Sequence, residues 1–132
     1  MENTYFKSPY LLLQYNEQEK YTAANWQHFP LSEEFRAGMD KMVQLMEEKK
    51  IGKVLTDTRK MGAISPDDQD WSINDWLPRA FKAGYRRIAI VISEDIFNQM
   101  SVEDIMSRVE GVDFVTKYFP NLEEGRKWLA TQ

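Results

Sequence analysis

The chain has 132 residues, of which 42% are hydrophobic and 29% charged, and 17 basic against 21 acidic residues give a net charge of −4. This composition is typical of one globular domain that buries a core. The mild acidity disfavours nucleic-acid binding, which depends on clustered Lys and Arg. Cysteine is absent and His28 is the one histidine, so disulfides and thiolate ligands are excluded and a metal site is disfavoured. We therefore expect no cofactor, no metal and no nucleic-acid partner.

The N-terminal sequence MENTYFKSPY has neither the basic start nor the apolar run of a signal peptide. No apolar stretch approaches the roughly 20 residues that a membrane-spanning helix needs. These features predict a cytoplasmic protein without stable membrane insertion. Because no repeat, linker or low-complexity run divides the sequence, we expect a single domain over residues 1–132.

The first third of the chain predicts a hairpin and a helix. Tyr10–Tyr15 and Tyr21–His28 read as strands, with polar Asn16–Lys20 as the turn between them. Ser32 is expected to begin a helix that Gly52 terminates. The apolar residues of this helix recur at helical spacing: Phe35, Met39, Met42, Val43 and Met46.

The middle of the chain predicts a short strand, Lys53–Thr56, and a second helix. Ser65 suits the N-cap of that helix, Pro66 suits its first position, and Asp68 stands where a capping box has a carboxylate. Gly84 is expected to terminate it. Its core-facing residues at helical spacing are Ile73, Leu77, Ala80 and Phe81, and Pro78 predicts a kink or break among them.

The last third contains the clearest strand, Arg86–Ile92, whose apolar run is typical of a strand buried on both faces. Ser101 is expected to cap a third helix, Val112–Phe119 to form a final strand, and Asn121 to cap a final helix. The resulting order, β-β-α-β-α-β-α-β-α, predicts an α/β fold. We expect a mixed, mostly parallel five-stranded sheet with an N-terminal antiparallel hairpin and helices on both faces.

The segment Val54–Trp71, VLTDTRKMGAISPDDQDW, and the following WLPRAFKAGYRRIAIV resemble the SpoIIAA-like branch of the STAS superfamily. The shared features are a strand ending in Asp-x-Arg, a short loop to Ile-Ser-Pro, a helix with Trp and Pro-Arg-Ala, and a Gly before the next strand. The resemblance covers Leu11 to Leu129. It implies a STAS-like domain that acts as a non-catalytic regulatory or protein-interaction module, like the anti-sigma-factor antagonists.

In those antagonists a serine at a helix N-terminus, within an Asp-Ser-Ser-Gly-like motif, is phosphorylated. This chain lacks the motif, and Ser65 is the closest counterpart by position. Asp67 and Asp68 would repel a phosphate there, and the serine hydroxyl is expected to cap the helix. A phosphoserine switch is therefore disfavoured.

Ligands of open α/β sheets bind beyond the carboxyl ends of the parallel strands. At this edge Asp57 and Arg59 could bind a polar ligand or pair with each other. At 100° per residue Trp71 points away from the core, so it is either exposed or lies over the preceding loop, whereas Trp76 is expected at the edge of the core. The candidate interaction or ligand surface comprises Asp57, Arg59, Ser65, Asp68, Trp71 and Trp76.

The first hypothesis for function is an interaction module that binds a protein partner or forms a homodimer. The alternative is a carrier or sensor of a small apolar, lipid-like ligand, held beneath the helices that contain Phe35–Met46 and Ile73–Phe81. An enzyme that uses Asp57, Arg59 and Ser65 is disfavoured, because the chain has no catalytic motif and no base poised near neutral pH. We therefore predict that the protein is not an enzyme.

Overall fold

A computed structural model describes residues 2–109 and 113–132 of the chain, which fold around one mixed sheet of six strands. The strands lie side by side in chain order, β1 to β6. The first three pair antiparallel, and every neighbouring pair from β3 to β6 is parallel. Their bounds are Asn3–Lys7, Leu11–Asn16, Tyr21–Trp26, Lys53–Asp57, Arg87–Val91 and Val115–Phe119. The α/β class and the mostly parallel sheet with an N-terminal hairpin are therefore confirmed.

The connections between the parallel strands are helical. Their bounds are α1, Ser32–Lys49; α2, Pro66–Trp71; a π-helical turn, Ser72–Trp76; α3, Leu77–Lys82; α4, Ile96–Ser107; and α5, Leu122–Ala130. The segments α2, π turn and α3 follow one another without a break, so they act as one helical connection between β4 and β5. Among the described residues no helix is both long and apolar enough to cross a bilayer.

Helices cover both faces of the sheet, as predicted, but unequally. The larger core lies between the sheet and α1 to α4, where Val54, Ile88 and Ile90 point toward these helices. The alternate residues of β4 and β5 point to the other face, where α5 packs. That smaller core contains Tyr21, Leu55, Ala89, Val91, Phe119 and Leu129. The prediction that the Arg86–Ile92 strand is buried on both faces is thus confirmed for β5, Arg87–Val91.

The sheet has one strand more than the five predicted, because β1 adds to the outer edge of β2. The register between these two strands shifts between Thr4 and Phe6. No side chain of this edge strand is fully buried. Its sequence therefore lacks the regular apolar alternation by which a strand is recognised.

The start of α4 also differs from the prediction. The helix begins at Ile96 rather than after Ser101, and the Asp95 side chain caps it by accepting a hydrogen bond from the Phe97 amide (2.9 Å). Ser101 lies inside the helix, where its hydroxyl accepts a hydrogen bond from the Ile64 amide (3.0 Å). The apolar residues of the first turn of α4, Ile96 and Phe97, are exposed and so do not contribute to the apolar periodicity. The predicted last strand begins at residue 112, which lies outside the described residues, and β6 itself starts at Val115.

Three of the predicted helix ends agree with the structure. The Ser65 hydroxyl accepts a hydrogen bond from the Asp68 amide (3.2 Å), and Asn121 Oδ1 accepts one from the Glu124 amide (2.9 Å). Gly84 follows the last turn of α3 with φ +105°, a conformation that favours glycine. These caps depend on neighbouring residues only, which explains why the sequence predicts them.

Candidate functional site

Three loops meet at the carboxyl edge of the parallel strands: residues 27–31 after β3, 58–65 after β4 and 92–95 after β5. The Thr58 hydroxyl donates to the Val91 carbonyl (2.8 Å), and Asn98 Nδ2 donates to the Gly62 carbonyl (2.6 Å). Gly62 also lies against the Phe29 ring, since a Cβ placed on it would be 2.6 Å from Phe29 Cδ1. These contacts join the loops into one surface, which contains Arg59 and Ser65 of the predicted site residues and is bordered by Asp57 at the end of β4.

Asp57 and Arg59 form a bidentate ion pair at the end of β4. Arg59 Nε donates to Asp57 Oδ1 (3.0 Å) and Nη2 donates to Oδ2 (2.7 Å). Burial raises the pKa of the Asp57 carboxyl, but the side-chain and backbone hydrogen bonds of Arg59 outweigh burial and lower the pKa below its usual value of 3.8. The sequence left two roles open for Asp57 and Arg59, binding a polar ligand or pairing with each other. The structure shows them paired.

Ser65 and Asp68 have structural roles at the start of α2. Ser65 is the exposed N-cap described above, and Asp68 is buried. The Asp68 carboxylate turns toward α1 and its Oδ1 accepts hydrogen bonds from Ser32 Oγ and Arg36 Nε, both at 2.8 Å. This carboxylate therefore links α1 to α2, a role that spacing within α2 cannot reveal.

Of the two positions predicted for Trp71, exposed to solvent or lying over the preceding loop, solvent exposure is not observed. The indole is partly buried and packs edge-on against Phe35 of α1, with ring centroids 6.1 Å apart. The guanidinium groups of Arg36 and Arg79 lie 5.2 and 5.8 Å from the ring centroid, in cation–π geometry. Trp71 is thus held between the helices rather than presented to solvent.

The difference from the helical projection has a physical cause in the π-helical turn that follows Trp71. A projection at 100° per residue assumes one regular α-helix, whereas a π turn contains an additional residue and shifts the phase. The buried residues of the connection are Asp68, Ser72, Trp76, Leu77 and Ala80. Leu77 and Ala80 agree with the predicted face, whereas Ile73 and Phe81 are only partly buried. Pro78 comes just after this turn, so the predicted kink takes the form of a π bulge.

Trp76 packs in the core, as predicted, with only 3% of the residue exposed. Its indole Nε1 donates to the Met39 carbonyl (2.6 Å), and its ring meets Tyr85 edge-on at 5.5 Å. A partner could not reach this side chain without unfolding the helical connection. Trp76 is therefore a structural residue and not part of an accessible surface.

The predicted catalytic candidates do not converge. Asp57 lies on the α5 face of the sheet, where it lines a hollow with Asn25 and Arg126. Ser65 lines a different, shallow hollow on the opposite side, with Phe29 and Leu31. Asp57 and Ser65 thus line separate hollows, and within the described part of the chain no three His, Asp or Glu residues are placed to hold a metal ion.

The same edge carries a group of large apolar side chains that sequence reasoning missed. We call the group the apolar patch; it consists of Phe29 (59% exposed), Leu31 (64%), Ile96 (58%), Phe97 (67%) and Met100 (60%). Its first two members lie in the loop after β3 and the other three on the outer side of the first turns of α4. The sequence could have indicated these residues, because they are large apolar residues that do not belong to the apolar spacing of any predicted helix or strand.

An apolar cavity lies in the main core between α1, the α2–α3 connection, α4 and the sheet. Its volume is about 70 Å³, and Phe35, Met39, Met42, Trp76 and Leu77 are among its lining residues. An engineered cavity of about 150 Å³ is known to admit benzene. A cavity thus lies in the region where the lipid-like ligand was predicted, but at about 70 Å³ it is less than half the volume of the cavity known to admit benzene.

Comparisons with protein-family models, with curated proteins and with solved structures gave no match for this chain. The resemblance of Val54–Trp71 to the SpoIIAA-like branch of the STAS superfamily therefore remains a prediction based on those residues. The geometry of the carboxyl edge is the basis on which a function can be inferred.

Proposed function

We propose that this protein is a non-catalytic regulatory module that binds a protein partner through the apolar patch at the carboxyl edge of its sheet. The observation that carries the proposal is the exposure of five large apolar side chains, each between 58% and 67%, on adjoining loops and one helix start. Single exposed apolar residues are ordinary, but grouped ones mark binding surfaces. The resemblance to anti-sigma-factor antagonists favours the same kind of function.

The size of the patch fits a reversible interaction. Burying one Phe, Leu, Ile or Met side chain contributes about 1.5–3 kcal/mol. Five such side chains together give a free energy of the same order as the roughly 4–15 kcal/mol that association costs. The patch alone therefore supports weak binding, and polar contacts at its rim are needed for affinity and specificity.

The charges around the patch indicate the chemistry of the partner. Exposed carboxylates stand on the first helical turns of this edge, at Glu33 and Asp67, and on its loops, at Glu94 and Asp95. Lys60 is an exposed base of this edge, and Arg59 is paired with Asp57. In a symmetric dimer through this edge, the carboxylates of both copies would face each other and repel. A protein segment with apolar side chains flanked by Lys or Arg complements the edge better than a second copy does.

The decisive experiment replaces two residues of the patch, Phe97→Ser and Met100→Ser, in one variant. A partner captured from extract of the source cell would be purified and its affinity measured by calorimetry with wild type and with this variant. We expect about 100-fold weaker binding, because two large apolar side chains no longer become buried. The chain alone should be monomeric by light scattering.

The matched control is Leu122→Ser, which removes a 39% exposed apolar side chain from α5 on the other face. This variant should bind the partner as wild type does. Equal weakening by both variants would contradict the proposed surface. A dimer that only the patch variant abolishes would show that the occupant is a second copy and would overturn the assignment of a basic partner.

A further inference from the structure

A second hollow lies between α4 and the edge strand β6, on the face covered by α1 to α4. Its volume is about 220 Å³. Ile90 and Ile92 form its floor, Val102 of α4 forms one wall, and Tyr118 of β6 forms the other. Glu103 stands at its rim. This hollow shares no lining residue with the apolar patch.

The hollow exists because α4 leaves part of the outer strand uncovered. Ile90 and Tyr118 are register partners on β5 and β6, so their side chains share one face of the sheet. Ile90 is only 2% exposed, whereas Tyr118 and Ile92 are 38% and 39% exposed. The apolar floor of the hollow therefore extends from the buried core at Ile90 to the solvent-exposed side chains of Ile92 and Tyr118.

Asn98 supplies a polar group at the inner wall. The residue is 1% exposed, and its Nδ2 donates to the Gly62 carbonyl, which fixes the amide. Its Oδ1 has no hydrogen-bond partner within the described part of the chain. Among the described residues Thr22 Oγ1 is the fully buried side-chain atom that lacks a partner, so Asn98 Oδ1 keeps some access from the hollow and can accept a hydrogen bond from a ligand donor.

The charge of the lining restricts the ligand further. Glu103 is the one charged side chain among the lining residues, and it is an acid. Burial, followed by the Glu103 charge, raises the pKa of Tyr118 above its usual value, so the phenol group stays neutral at physiological pH. An anionic ligand would thus meet a carboxylate and no base, whereas a neutral or cationic ligand would not be repelled.

We infer that this hollow binds a single-ring aromatic molecule that carries a hydroxyl or amino group and is neutral or cationic. The volume exceeds the roughly 150 Å³ that admits benzene, which leaves room for one ring and a small substituent. The ring lies on Ile90 and Ile92, and the substituent donates to Asn98 Oδ1. An apolar pocket with a few convergent polar groups is the common form of a small-molecule site. The inference goes beyond protein binding and does not depend on it.

The test is an NMR titration of the ¹⁵N-labelled chain with phenol, toluene, tyramine and benzoate as probes. Phenol should cause saturable shifts of the backbone amides of Ile92, Asn98 and Val102. Toluene, which has the same shape but no donor, should bind about 3- to 10-fold more weakly, the range for one hydrogen bond. Benzoate should cause no saturable shifts at these amides.

Two variants locate the site and its charge preference. Ile92→Trp fills the hollow from a partly exposed position and should abolish the phenol shifts, whereas the matched Leu122→Trp, at equal exposure on α5, should leave them unchanged. Glu103→Gln should weaken tyramine binding about 2- to 5-fold, as expected for an exposed ion pair, without affecting phenol. The inference is overturned if phenol does not saturate, if benzoate binds as tightly, or if Ile92→Trp still binds phenol.

Discussion

Two parts of the carboxyl edge differ in how their side chains are used. In the β4–α2 connection the conspicuous polar residues bind each other or neighbouring helices: Asp57 pairs with Arg59, and Asp68 accepts from Ser32 and Arg36. In the apolar patch, side chains without any distinctive chemistry are left exposed. The comparison teaches that charged residues at strand ends can fix the loops, while the surface available to a partner consists of ordinary apolar residues.

Among the polar residues of this comparison, the largest expected effect on stability is that of Asp68→Ala. It removes the acceptor that joins α1 to α2, and we expect the free energy of unfolding to fall by about 2 kcal/mol, as for lost hydrogen bonds to a charged group. Urea denaturation measures this change. The neighbouring Asp67→Ala is the control: its exposed carboxylate lies in the first turn of α2, where the interaction with the helix N-terminus contributes about 0.5 kcal/mol. Equal losses for the two variants would mean that Asp68 does not link the helices.

The Asp57–Arg59 pair should appear in the pH dependence of stability. The pKa of Asp57 is lower in the folded chain than its usual 3.8, so the unfolded chain binds more protons in this range. The stabilisation is present above pH 3.8 and is lost as the pH falls through the folded pKa. Asp57→Asn should lower the free energy of unfolding by about 1 kcal/mol at pH 7, because Arg59 is partly exposed.

Chemical denaturation at a series of pH values from 7 to 2 tests this prediction. The difference between wild type and Asp57→Asn should shrink as the pH falls below 3.8, since the wild-type carboxylate becomes protonated. Parallel curves over the whole range would show that the ion pair does not stabilise the fold.

The smallest effect is expected for Phe97→Ser in the apolar patch. Phe97 is 67% exposed, so its removal should change the free energy of unfolding by less than about 0.5 kcal/mol. The same replacement at buried Phe35, which is 3% exposed, should cost at least about 3 kcal/mol. Urea denaturation again measures the change. A large fall in the free energy of unfolding for Phe97→Ser would show that this side chain stabilises the fold, and it would contradict the proposal that Phe97 is available to a partner.

The sequence by itself determined the features that depend on neighbouring residues. Ser65 and Asn121 cap their helices, because a cap needs only a side-chain oxygen and an amide three residues later. The apolar run in β5 predicts a strand buried on both faces, since only a central strand covered by helices on both sides accepts such a run. The alternation of helices and strands likewise predicts the parallel order from β3 to β6.

Tertiary structure alone decided the rest. The Asp68 carboxylate meets Ser32, 36 residues earlier in the chain, and the π turn after Trp71 changes which side chains face α1. Phe97 is exposed because α4 packs its other side against the core. Each outcome depends on how separate elements pack, and packing is set by contacts between distant residues that a local pattern does not encode.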